Sequence, residues 1–139
     1  MPAGGMNVKR CLIVDDEITS RYILKANLDE FFTCAMAENG EAALCAFDQA
    51  HQADAHFSLI CLDITMPGMD GLSVLKHIRE AEQALSMDPS LEAKVIIITA
   101  DSTSATILNS FFACGASAYI TKPMDRQKLI HELTTLAMI

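Results

Sequence analysis

Four apolar runs in this chain stop on residues that can do chemistry. Residues 10–14 stop on Asp15-Asp16-Glu17, 59–62 on Asp63, 95–98 on Thr99, and 117–120 on Thr121-Lys122. A carboxylate drawn out of water at such a position costs several kcal/mol unless a cation or a hydrogen-bond donor answers it. Asp15, Asp16 and Glu17 are consecutive, so each raises the pKa of its neighbours unless something positive lies between them. Carboxylates together with a loop carbonyl are the oxygen ligands that Mg²⁺ accepts, with waters completing an octahedron. A lysine ammonium and a threonine hydroxyl beside them supply the counter-charge and the donor that an added phosphoryl group requires. Ala100, being small, leaves room next to the hydroxyl. Asp63 taken alone reads equally well as a strand-end residue that opens a turn, since Pro67, Gly68 and Gly71 follow it. Convergence of the four run ends separates the two readings.

Convergence requires a parallel sheet. The runs are short, apolar and bounded by turn residues, as buried parallel strands are. Parallel strands end on one edge, and open α/β sheets place their ligand sites there. Between the runs the pattern is helical. The spacing predicts a helix over 18–32 with Ile23, Ala26, Leu28 and Phe31 or Phe32 inward, and a short strand over 34–37. The turn Glu38-Asn39-Gly40 leads to a helix over 41–53 with Ala43, Leu44 and Phe47 inward. A strand over 57–62 precedes a helix over 72–85 with Leu72, Leu75 and Ile78 on its apolar face, which Pro89 and its neighbours break. The β-branched run 95–98 predicts a central strand. Ser102, Thr103 or Ser104 caps a fourth helix that stops at Gly115, with Phe112 inward beside Leu108 and Phe111 outward. Asp125 caps the last helix. Strand and helix alternate five times, which predicts an α/β domain over 8–139: a five-stranded parallel sheet with helices on both faces, after a tail at 1–7.

Composition narrows the function. The 139 residues carry a formal net charge of −8, which gives no electrostatic reason to bind nucleic acid. Five cysteines, an odd number without a CxxC pair, predict reduced thiols and a cytoplasmic location. The opening residues lack the apolar core of a signal peptide, and no apolar stretch is long enough for a bilayer, so no membrane association is expected. His51, His56, His77 and His131 have no metal-ligand spacing. Neither GxxxxGK[ST] nor GxGxxG occurs. Asp15-Asp16-Glu17 would repel a flavin phosphate, and the adjacent acids do not form the Asp-x-Asp of haloacid-dehalogenase phosphatases.

The same residues resemble a known family. Ile13-Val14-Asp15-Asp16-Glu17 with Arg21, Ala37-Glu38-Asn39-Gly40-Glu41-Ala42-Ala43-Leu44, Leu62-Asp63-Ile64-Thr65-Met66-Pro67-Gly68-Met69-Asp70-Gly71, Ile98-Thr99-Ala100, and Gly115 through Pro123 are similar, in order, to the receiver domains of two-component response regulators. The resemblance implies a flavodoxin-like fold with strand order 2-1-3-4-5. It implies that Asp63 accepts a phosphoryl group from a phosphohistidine on a sensor histidine kinase or histidine phosphotransfer protein. By the same resemblance Asp16 and Asp63 hold Mg²⁺ with the backbone carbonyl of Thr65, and Asp15 assists. Lys122 then pairs with Asp63 or its phosphate, Thr99 donates its hydroxyl to the phosphate, and Tyr119 rotates in concert. Thr65 and Asp101 flank the site and influence phosphate hydrolysis, and the Lys122-Pro123 bond is cis. Such a domain is not an enzyme on other substrates. It signals to an output protein through its fourth helix, fifth strand and fifth helix, as a monomer or weak homodimer. A phosphorelay intermediate that hands the group to a histidine phosphotransfer protein is the alternative, and a receiver that binds without phosphorylation is a third reading. The segment between Asp63 and Thr99 is longer than the family pattern, with the excess around 82–93, expected as an extended surface loop. The segment from Thr99 to Lys122 is slightly longer as well.

Overall fold

In the computed structural model, which describes residues 9–65, 71–100 and 102–139, the apolar runs 59–62 and 95–98 are buried throughout, 10–14 is buried beyond Arg10, and 117–120 buries Ala118 and Ile120 while Tyr119 is exposed. β1 (Arg10–Val14), β2 (Thr33–Ala37), β3 (Leu59–Asp63), β4 (Lys94–Thr99) and β5 (Ala118–Thr121) form one parallel sheet in the order β2-β1-β3-β4-β5. β3 is the middle strand and the β-branched run forms β4, an interior strand as expected; both are buried on two faces. The tail at 1–7, the turn containing Pro67 and Gly68, and Asp101 lie outside the described residues.

Side chains alternate through the sheet. Leu12, Val14, Ile60, Leu62, Val95 and Ile97 meet α2 (Gly40–Gln52), α3 (Gly71–Ala84) and α4 (Ala105–Ala113). Ile13, Leu59, Ile96 and Ile98 meet α1 (Ile18–Leu28) and α5 (Arg126–Thr135) on the other side. Three helix starts carry the capping residue their sequence offers: Asn39, Ser104 and Asp125 each accept a backbone N–H of the first turn. All five cysteines are free, and burial pushes the Cys11 thiol up. No helix among the described residues is long and apolar enough to cross a membrane.

Three expectations need correction. α1 ends at Leu28, not Phe32, and buries Leu24 and Leu28 while Ile23 and Ala26 face outward. Only the i, i+4 pair reaches the sheet, because a single helix lying over β1 and β2 needs a narrow stripe. In α4 it is Phe111 that is buried and Phe112 that is exposed. The Ser104 cap and the reversal at Gly115 set that phase: Ala116 N–H returns to the Phe111 carbonyl at 3.0 Å, which ties that residue to the core end of the turn.

The third correction concerns 82–93, which is stapled to the body rather than loose. Glu82 is 1% exposed, accepts the Ala93 N–H at 2.8 Å and pairs with Arg79 at 2.6 Å. Arg79 also donates to the carbonyls of Ala93 (2.9 Å) and Gly115 (2.7 Å). Gly115 has φ +102°, and a Cβ there would lie 2.8 Å from Arg79 Nε, so this corner accepts only glycine.

Candidate functional site

Sheet register builds the site. Val14 pairs with Leu62, which sets Asp15 and Asp63 side by side at the carboxyl edge. Asp63 pairs with Ile98, and Thr99 with Thr121, so Thr99 and Lys122 close the far side. The Lys122 N–H donates to the Thr99 carbonyl at 2.7 Å, extending the ladder to the lysine itself. The Lys122-Pro123 bond is cis, as expected.

Asp63 is 1% exposed, and donors meet both of its oxygens. Lys122 Nζ donates to Oδ2 at 2.8 Å. The Thr65 backbone N–H and hydroxyl donate to Oδ1 at 2.8 and 2.6 Å. Asp15 is as buried, but only half satisfied. Its Oδ1 accepts the Glu17 N–H at 2.9 Å, which steers the chain into α1, and its carbonyl accepts Arg21 Nη1 at 2.8 Å. Asp15 Oδ2 and Thr99 Oγ1 are buried with no hydrogen-bond partner among the described residues. Asp16 is exposed, and one carboxylate oxygen from each of Asp15, Asp16 and Asp63 lies within 4.8 Å of the others.

The electrostatics follow from that burial. Loss of water raises the Asp15 carboxyl from 3.8 to about 6; the Glu17 N–H and Lys122 oppose the rise, and the charges of Asp63 and Asp16 add to it. Neighbouring acids contribute, but burial is the larger cause. For Lys122, burial alone would lower the ammonium; the hydrogen bond and charge of Asp63, with Asp15 and Glu17, more than offset it and hold the group above its ordinary value. An orphaned carboxylate oxygen in an all-oxygen cluster, with one ligand open to water, fits a hard divalent cation such as Mg²⁺.

Asp15, Asp16, Asp63, Thr65, Thr99 and Lys122 are thus brought together. Tyr119 is not: its ring is exposed and lies edge-on to Phe112, with centroids 6.1 Å apart. Asp101 lies outside the described residues. Two features escaped the sequence. One is the hydroxyl of Thr65 on Asp63, for which the only signal is a threonine two residues after an aspartate. The other is a cleft of about 480 Å³ beside Asp15 and Lys122, walled by Ile23, Leu24, Ile98 and Met124; its residues come from three separate segments with no common pattern.

Fold and site together define a doubly wound parallel α/β domain with an acidic pocket and a lysine at its carboxyl edge. Residues 11–134 match the family model of the response regulator receiver domain, and the chain belongs to that family. Members are signalling domains in which acceptance of a phosphoryl group and binding of Mg²⁺ are general. The chemotaxis protein CheY of Bacillus subtilis (strain 168) is 31% identical over 89% of this chain and 93% of its own length. The transcriptional regulatory protein ResD of the same organism is 32% identical over 94% of this chain, which spans about half (48%) of ResD. The CheX-CheY-BeF3-Mg²⁺ complex of Borrelia burgdorferi superimposes with a TM-score of 0.78 at 27% identity, covering 93% of this chain and 89% of that one.

Proposed function

We propose that this receiver takes a phosphoryl group on Asp63 from a phosphohistidine and signals through the conformation that follows. One observation carries the reading. A buried carboxylate held by a lysine lies at the same sheet edge as a buried carboxylate oxygen and a buried hydroxyl that both lack partners among the described residues. Those orphaned groups cost stability, and a cation with a phosphoryl group would satisfy both.

Asp63 is the nucleophile. A carboxylate oxygen bonds to phosphorus as the bond from phosphorus to the donor imidazole breaks, and the proton that imidazole needs comes from solvent or the donor protein. Lys122 holds the acceptor in place and neutralises charge on the transferred group. Thr99 donates its hydroxyl to a phosphate oxygen and is drawn toward it. Asp15, Asp16, Asp63 and the Thr65 carbonyl hold Mg²⁺, which when bound neutralises phosphoryl charge. Thr65 and Asp101 modulate hydrolysis. Tyr119 is the mobile element of the output face, where Ile107, Phe112 and Tyr119 are exposed, and an output protein reads that face. Donors are a sensor histidine kinase or a histidine phosphotransfer protein, and the exposed Ile18, Tyr22 and Ile23 of α1 provide the apolar shoulder on which one docks. The five free thiols fit a cytoplasmic location. The protein turns over no substrate except its own phosphate, and acts as a monomer or weak homodimer.

Incubation with Mg²⁺ and acetyl phosphate, followed by intact mass measurement, tests the reading. The protein gains the mass of one phosphoryl group and Asp63→Ala gains none. Equal labelling of both, or labelling of neither while folded, contradicts it.

A further inference from the structure

The hydrogen bonds on Asp63 are unequal in a way the proposed reaction does not use. Each carboxylate oxygen offers about two lone-pair sites. On Oδ1 both are taken, by the Thr65 N–H at 2.8 Å and the Thr65 hydroxyl at 2.6 Å. Oδ2 carries the Lys122 ammonium at 2.8 Å. A divalent cation is repelled by that ammonium, so Oδ1 is the oxygen free of a bonded positive charge that can join Asp15 and Asp16. It has no lone pair to give until one donor leaves. The backbone N–H belongs to the turn that follows β3 and cannot leave without unmaking it. The hydroxyl turns on χ1 alone, and Lys122 Nζ stands 3.5 Å from it. Asp15 Oδ2 already has free lone pairs, and Asp16 is open to water. Of the three clustered carboxylates, Asp63 is thus the one whose cation-facing oxygen is closed.

We infer that the Thr65 hydroxyl is a latch on Asp63: it positions the carboxylate in the resting protein and must leave Oδ1 before that oxygen can hold Mg²⁺, so that it weakens cation binding. The inference rests on the proposed Mg²⁺ site. Thr65 is a positioning residue here, acting through Asp63 and independently of its carbonyl, which any residue at 65 supplies. The latch makes metal loading and release of the acceptor one event. The side chain therefore sets how much Mg²⁺ the receiver needs before it is competent.

The test is calorimetric titration of the unphosphorylated protein with Mg²⁺, for the original chain, Thr65→Val, Thr65→Ser and Asp16→Asn. Thr65→Val keeps the shape and loses the donor; its Kd for Mg²⁺ falls about ten-fold, the worth of one hydrogen bond to a charged group. Thr65→Ser restores the original Kd. In melting experiments Thr65→Val loses Tm without Mg²⁺ and recovers it at saturating Mg²⁺, which a merely structural role would not produce. Thr65→Ala serves the same purpose should valine fail to fold. An unchanged or weaker Kd in Thr65→Val, or a serine variant as tight as valine, overturns the latch while Mg²⁺ binding that Asp16→Asn weakens leaves the site standing. Absence of Mg²⁺ binding in the original chain overturns both.

Discussion

Asp15 is the residue whose environment is least comfortable, and its pKa says how. A carboxyl raised by burial to about 6 binds its proton more readily folded than unfolded. Its ionisation therefore weakens the metal-free fold, with the penalty fully present above about pH 6 and relieved as pH falls toward the ordinary 3.8. Asp15→Asn is expected to stabilise the metal-free protein at pH 7.5 by on the order of 2 kcal/mol, read as a higher Tm, and to gain nothing near pH 4. A lower Tm at pH 7.5 would show that Asp15 is satisfied by something else. The same proton competes with the cation, so Mg²⁺ affinity should fall as pH drops through about 6. At this scale the sequence was informative about which residues meet, because strand ends of a parallel sheet share an edge. It was silent on Thr65 as a donor and misweighted the cause of the Asp15 shift. Adjacent acids are visible in a sequence, whereas burial is a property of the packed edge.

Elements were legible where their periodicity was clean and misread where two phases fit equally well. Adjacent Phe111 and Phe112 give α4 two plausible inward faces, and only the Ser104 cap and the Gly115 reversal decide between them. The excess length of 82–93 over the family pattern suggests a loop, because length carries no sign of what a segment packs against. Its anchor is an i, i+3 pair whose acid is buried under the chain that follows, Arg79 with Glu82. That pair predicts an asymmetry. Arg79→Ala strands a buried Glu82 charge and costs about 3–5 kcal/mol in chemical denaturation. Glu82→Ala costs less, since the Arg79 side chain is 20% exposed and keeps the carbonyls of Ala93 and Gly115. Equal losses would mean that the pair contributes only through packing. Arg79 also ties the end of α4 to α3 through the Gly115 carbonyl.

Across the whole molecule, the five-fold alternation of strand and helix was enough to infer the sheet and its two helical layers. Strand order came only from resemblance, since nothing in composition says which neighbours pair. The acidic balance of −8 is partly the site itself, an acidic pocket answered by one lysine at its edge. We propose that this edge directs a phosphoryl group to one carboxylate. The most direct test is chemical mapping. The protein is phosphorylated with acetyl phosphate and Mg²⁺, reduced with borohydride, digested and sequenced by mass spectrometry. An acyl phosphate on Asp63 is reduced to homoserine, and homoserine is expected at position 63 alone. Homoserine at Asp15 or Asp16 instead, or none while the protein carries phosphate, would contradict it.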